Sequence, residues 1–231
     1  MNRLARAVLP LLLIVCSAHG NEADNLFAVR QQGYALVSNL IAYFDPYDKY
    51  ADPNYQRAYQ QALQTLDVST QNPELRRSIN ALKTLIQALE KQPLASIQQS
   101  YPQWLNPVLE QHAELDSQAS RQQQQSPQQE GQVQQLSILV SEVLLLYQIK
   151  YVQLVALHVP FSENSVEELD QQITTLFSQI KPHDPEQSAV LEKLSREYEF
   201  VRPQLKDAKR RAAAGSVKFY LSGVVRGLEG L

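Results

Sequence analysis

Residues 132–158 read QVQQLSILVSEVLLLYQIKYVQLVALH, and the reading of this stretch decides the fold. Val133, Leu136, Leu139, Val140, Val143, Leu144, Leu146, Tyr147, Tyr151, Leu154 and Val155 recur at helical spacing. The polar residues fall in one narrow stripe, Gln134/Gln135, Ser141/Glu142 and Gln148, seven apart. A helix that is apolar on nearly every side belongs in the middle of a helical bundle, with Leu139, Val143, Leu146 and Tyr147 inward. The stripe, with Ser141 and Glu142 in it, is then expected to be the helix's solvated edge. At ~1.5 Å per residue the helix spans roughly 40 Å, about one small domain. Glu142 and Lys150 interrupt the run well before ~18 uncharged residues accumulate, so it is not a membrane span.

Outward from this helix, the same two signals repeat: an apolar stripe and a capped start. Leu26, Phe27, Tyr34, Val37, Leu40, Ile41 and Phe44 share a face that Asp45 and Pro46 end. Asp52 before Pro53 opens a helix with Tyr55, Tyr59, Leu63 and Leu66 in its stripe. Asn72-Pro73-Glu74 opens the next, with Leu75, Ile79, Leu82, Leu85/Ile86 and Leu89. Another begins near Trp104 and fades into the glutamine run 122–125. Ser126-Pro127 and Gly131 make the clearest break in the chain. Beyond the central helix, Ser165 and Glu168 have the spacing of a capping box, and Asp184-Pro185-Glu186 is a further start signal. The last stretch runs from Phe200 and Pro203 to the end, bent at Gly215-Ser216. No segment alternates with period two for long enough to be a strand. The expected fold is all-α, with helices over 24–44, 53–68, 73–91, 104–124, 131–158, 165–181, 185–201 and 203–229.

The halves carry matching landmarks in the same order, a sign of an internal repeat. Leu36-Val37-Ser38 answers to Leu139-Val140-Ser141, and Asn72-Pro73-Glu74 to Asp184-Pro185-Glu186. Trp104-Leu105-Asn106-Pro107 answers to Phe200-Val201-Arg202-Pro203, each read as the opening of its half's last helix. Two consecutive four-helix-bundle modules follow, 21–126 and 127–231.

Residues 1–20 stand apart. Arg3 and Arg6 precede an apolar run over 7–15, and Ala18-His19-Gly20 has small-x-small cleavage character. These are the marks of a secretory signal peptide cleaved after Gly20. The competing reading is a lipoprotein signal acylated at Cys16, but that chemistry favours a small residue where Val15 stands. Export to the periplasm is the expectation. Cys16 is the only cysteine, so the exported chain has no thiol for disulfides or redox chemistry. Its net charge of −3 becomes more negative when Arg3 and Arg6 leave, which gives no general attraction to nucleic acid or anionic lipid.

The helix opening Gly131-Gln132-Val133-Gln134-Gln135-Leu136-Ser137 resembles the start of the periplasmic sensing domains of type IV pilus chemoreceptors and nitrate/nitrite sensor kinases. Those domains are four-helix bundles, sometimes in tandem, and their last helix often follows a Trp-x-Pro-like turn, to which Trp104 to Pro107 and Phe200 to Pro203 are similar. The resemblance implies sensing or binding rather than catalysis. The basic residues of the family's run are replaced here by Gln134, Ile138 and Leu139, and Arg30 is the one base on the first helix, so an anion site built on that run has no counterpart in the second half.

Chemical signatures are few. His112, His158 and His183 stand at no metal-ligand spacing from one another. Asp45, Asp48 and Asp52 lack the alternation and glycine of a calcium loop and fit turn and cap chemistry. No haem-attachment, di-metal, phosphate-loop or nucleophile-elbow motif occurs, so neither an enzyme nor a cofactor is expected. Lys206, Lys209, Arg210 and Arg211 fit a solvated basic face. The densest oddity is aromatic: Tyr34, Tyr43, Tyr47, Tyr50, Tyr55 and Tyr59 lie within one helix–loop–helix. With Arg30 they are the candidate ligand-binding residues, lining a recess for a small molecule or for the loop of an envelope protein partner. Ordinary packing at a bundle end accounts for the same tyrosines. The functional expectation is a non-enzymatic ligand-binding or sensory-type module acting through a partner; the alternative is a structural or assembly adaptor of the cell envelope. Nothing in the residues fixes a homo-oligomeric state.

Overall fold

The computed structural model describes residues 22–47, 51–126, 131–152, 165–206 and 214–231. The signal-peptide assignment over 1–20 therefore lies outside the described residues, as do Asp48, Tyr50, His158 and Lys209 to Arg211. Among the described residues the chain is all-helical, without strands. In order, the helices are α1 (Glu22–Tyr43), α2 (Pro53–Ser69), α3 (Pro73–Glu90), the short α4 (Leu94–Gln99), α5 (Tyr101–Gln125), α6 (Gln132–Val152), α7 (Val166–Gln179), α8 (Pro185–Lys206) and α9 (Ala214–Glu229).

The starts obey the capping chemistry of the sequence. Asp52 Oδ1 accepts from the Asn54 amide at 2.8 Å, and Asn72 Oδ1 from Glu74 at 2.9 Å, each ahead of a proline in the first turn. Ser165 and Glu168 exchange both bonds of a capping box. Asp184 Oδ1 accepts from Gln187 at the head of α8.

Two prolines lie where they were expected to open helices. Pro107 is inside α5, which starts at Tyr101, and Pro203 is inside α8, which continues to Lys206. A proline is tolerated there once the flanking turns are held by packing; the Trp104 indole, for example, donates to the Ile97 carbonyl at 3.0 Å. The expected helix over 203–229 is corrected accordingly: its first residues belong to α8, and the last helix begins at Ala214. The stretch from Phe200 to Pro203 thus closes the third helix of its half rather than opening the fourth.

Within the first half α1 packs on α2, α2 on α3, α3 on α5 and α5 back on α1; within the second, α6, α7, α8 and α9 close the same kind of ring. Each ring encloses its own core. Val37, Leu40, Tyr59, Leu66, Ile79, Leu82 and Leu105 are among the fully buried residues of the first, and Val140, Val143, Ile173, Tyr198, Val217 and Leu221 among those of the second.

α6 belongs to both cores. Leu139, Val143, Leu146 and Tyr147 are buried in the second, as expected, while Ile138, Leu145 and Ile149 enter the first. Between these faces runs the polar stripe: Gln135 at its start is exposed, but from Ser141 onward the stripe is buried. Ser141 is 5% exposed, Glu142 7% and Gln148 7%. Ser141 and Gln148 bond to α1, so from Ser141 onward the reading of a solvated edge is corrected: this part of the stripe marks a helix–helix seam.

Candidate functional site

The seam is built from matched pairs. Gln31 on α1 donates through Nε2 to Ser137 Oγ, and its Oε1 accepts from Ser141 Oγ at 3.0 Å. One heptad on, Ser38 Oγ donates to Gln148 Oε1 at 2.7 Å, and Gln148 Nε2 donates to the Ser38 carbonyl at 3.2 Å. Position increases together along both helices, so α1 and α6 run parallel. All five of these residues are buried, and buried polar groups stay only where they are satisfied.

This seam floors a cleft of about 480 Å³. Four helices, two from each ring, each present one face to it. α2 supplies Ala58, Gln61, Ala62 and Thr65; α9 supplies Ser222, Val225, Arg226 and Glu229. Both sets have the i, i+3, i+4, i+7 spacing that puts side chains on one helical face. α1 contributes Gln31, Tyr34, Ser38 and Asn39, and α6 Ser141 and Leu144. About one turn before Ala58 and Ser222, the Lys218 ammonium stands 3.3 Å from the centre of the Tyr55 ring. That cation–π contact joins α2 to α9 at one end of the cleft.

The floor's polar groups are spent on one another, whereas those of the walls are not. Among the described residues the side chains of Gln32, Gln61, Thr65 and Ser222 make no hydrogen bond within the protein. Among the described residues the lining holds no histidine and no cysteine.

Of the described ligand-site candidates, Arg30 and Tyr34, Tyr43, Tyr47, Tyr55 and Tyr59, Tyr34 alone lines this cleft. Its hydroxyl donates to Asp116 Oδ2 at 3.4 Å, and its ring meets His112 edge-on at 4.6 Å. Burial, then the neighbouring charges of Asp116 and Glu142, hold its pKa well above the ordinary tyrosine value. Arg30, one turn earlier, binds the same Asp116 through Nε at 2.8 Å. Arg30 and Tyr34 together therefore bracket one carboxylate of α5. His112 lies fully enclosed behind them, with Gly33 opposite: a Cβ at Gly33 would come within 3.3 Å of the imidazole. Burial pushes His112 down to about 4, with the Asp116 carboxylate opposing.

The other tyrosines do not gather into a recess. Tyr43 stacks edge-on with Phe44 at 4.8 Å and tilts over Tyr59 at 5.7 Å. Phe44 continues the cluster to Trp104, and Trp104 to Tyr101, so the rings fill the end of the first bundle. The Tyr59 hydroxyl donates to Glu90 at 3.0 Å. Tyr47 is exposed, and Asp45 Oδ1 accepts from its amide at 2.8 Å in a turn. Tyr55 serves the contact with Lys218, and Tyr50 lies outside the described residues.

The second bundle has its own carboxylate cluster. Asp170 of α7 is 3% exposed and accepts from Tyr198 at 3.1 Å and from Arg202 Nε at 2.7 Å, both on α8. Burial and Asp170 raise the Tyr198 pKa. An arginine and a tyrosine one turn apart thus lock a facing helix in each bundle, although the helices involved are not counterparts in chain order.

Sequence reasoning missed Ser222, Arg226 and Glu229. The i, i+3, i+4, i+7 set on α9 mixes polar and apolar residues, so its face carries no stripe to notice. Among the described residues no cluster of His, Cys, Asp and Glu has the makings of a metal site, and no helix is long and apolar enough to cross a membrane. Comparison with known protein families, characterised proteins and solved structures yields no match to this chain.

Proposed function

We propose that this chain is an exported, non-enzymatic binding module of the sensory type, and that its ligand site is the cleft between the two helical rings. The observation that carries the reading is the division of labour in that cleft: a floor of mutually satisfied polar groups beneath walls whose hydrogen-bonding groups are unspent. A cavity of this size with convergent polar groups suits a small molecule. Because the α2 wall and the α1 side of the floor belong to one ring, and the α9 wall and the α6 side of the floor to the other, a bound molecule touches both rings and favours one spacing between them. Occupancy is then passed to a partner protein as a change in how the rings sit.

A thermal-shift screen of the full chain against small polar molecules tests this. A ligand at a hundredfold excess over its dissociation constant adds about 2.7 kcal/mol of stability, and Thr65→Trp, which fills the cleft, abolishes the gain. A flat response across the screen rejects the reading.

The second reading is an envelope adaptor, and one feature favours it. Phe200 and Phe219 are 59% and 67% exposed, and both rings flank Tyr220, at 4.9 and 5.5 Å. Aromatic groups in the open are characteristic of protein-binding surfaces.

A further inference from the structure

Two charges of opposite sign stand in the α9 wall of the cleft. Arg226 and Glu229 are three residues apart and so share a face. Among the described residues neither is engaged in an ion pair. Among the described residues the rest of the lining is uncharged. Both lie exposed at the rim, where partial burial pushes the Glu229 carboxyl pKa up, against the opposing pull of Arg226.

Resting on the assignment of the cleft as the ligand site, we propose that its ligand is a small zwitterion, carrying a carboxylate and an ammonium group on one short skeleton. The carboxylate meets Arg226, the ammonium meets Glu229, and the unspent groups of Gln32, Gln61, Thr65 and Ser222 bond the remainder. Charge complementarity selects this class. A lone anion drawn to Arg226 sits beside the Glu229 carboxylate, and a lone cation drawn to Glu229 sits beside Arg226. A neutral polyol desolvates both charges and returns a charge partner to neither. Among the described residues an apolar molecule finds only Tyr34, Ala35, Ala58, Ala62, Leu144 and Val225 for contact and covers the polar walls unpaired. Only a molecule bearing both charges compensates both.

The test is calorimetric titration of the full chain with the free amino acids, and with succinate, putrescine and glucose as dianion, dication and neutral polyol. At least one amino acid is expected to bind saturably. Its methyl ester and its N-acetyl derivative, each lacking one charge, should bind about tenfold or more weakly to the unaltered chain. Arg226→Gln and Glu229→Gln should each cost a similar factor, whereas Lys193→Gln, away from the cleft, should cost nothing. The two ligand derivatives need no variant, so a misfolded substitution leaves the proposal testable. If succinate, putrescine or glucose binds more tightly than every amino acid, and Thr65→Trp abolishes that binding, the zwitterion is wrong and the cleft assignment stands. Amino acid binding that survives Thr65→Trp and both charge variants overturns the cleft as the site. No binding by any member of the panel overturns both.

Discussion

At the scale of single residues, energetics concentrate where a charge or proton acceptor has lost its water. His112 is the clearest case. Buried at about 4 against its ordinary 6.5, it is neutral in the fold while the unfolded chain is protonated between those values. The unfolded state therefore binds more protons, and this contribution is fully present above pH 6.5 and lost as pH falls towards 4. Its size is about 3 kcal/mol. Urea unfolding at pH 7 and pH 4.5 measures it as the part of the acid destabilisation that His112→Gln removes; identical slopes in the two proteins refute it. Asp170 is the second case. With Tyr198 and Arg202 both donating to it at 4% side-chain exposure, Asp170→Ala leaves the buried Tyr198 phenol without its acceptor and Arg202 with Glu199 alone among the described residues. The expected loss is about 1–3 kcal/mol, read as a shift in the denaturation midpoint. Neither residue was legible in the sequence as special. Asp170 follows Leu169 in a stripe where a polar neighbour looks solvated, and only the partner helix α8 shows otherwise.

At the scale of elements, starts were legible and surroundings were not. A cap is local: Asp52, Asn72, Ser165 and Asp184 each satisfy amides within three residues, so sequence alone specifies them. Ser165→Ala is accordingly expected to cost about 1 kcal/mol. Pro107 and Pro203 misled for the converse reason, since a proline records the loss of one helical bond but not whether packing carries the helix through it. The polar stripe of α6 misled more deeply. Periodicity tells which residues share a face and is silent on what that face meets, and a heptad of Ser and Gln looks alike facing water or another polar heptad. A double-mutant cycle reads the seam directly. Ser141→Val leaves the buried Gln31 Oε1 without its donor, at about 1–3 kcal/mol. Adding Gln31→Leu removes the stranded acceptor, so the pair of changes should cost clearly less than the sum of the two alone. Additivity would mean the hydrogen bond contributes nothing. On the far side of the second ring, Gly227 marks where α9 meets α8: an added Cβ would lie 2.5 Å from Leu194 Cδ2, in a side chain that is itself buried.

At the scale of the whole molecule, two closed rings with separate cores resemble two independently folding units, but α6 contradicts independence. Ile138, Leu145 and Ile149 complete the first core from a helix whose other faces complete the second. Removing the first ring would leave those three side chains, along with Ser137, Ser141 and Gln148, facing water or one another. Removing the second would open the first core along its α1 side and leave Gln31 and Ser38 without their partners. Each buried aliphatic side chain contributes about 1.5–3 kcal/mol by transfer, so these three alone are comparable with the ~5–15 kcal/mol that a domain has in total. The halves are therefore expected to unfold together. Scanning calorimetry of the full chain should show one transition whose calorimetric and van't Hoff enthalpies agree. The isolated segment 131–231 should be less stable than the whole and prone to associate through the uncovered face of α6. Two resolved transitions, or a monomeric segment 131–231 as stable as the full chain, would show that the seam joins two domains that had already folded. Coupled rings are also what a cleft between them requires, because a molecule held by Thr65 on one side and Arg226 on the other alters the pair only if the pair behaves as one.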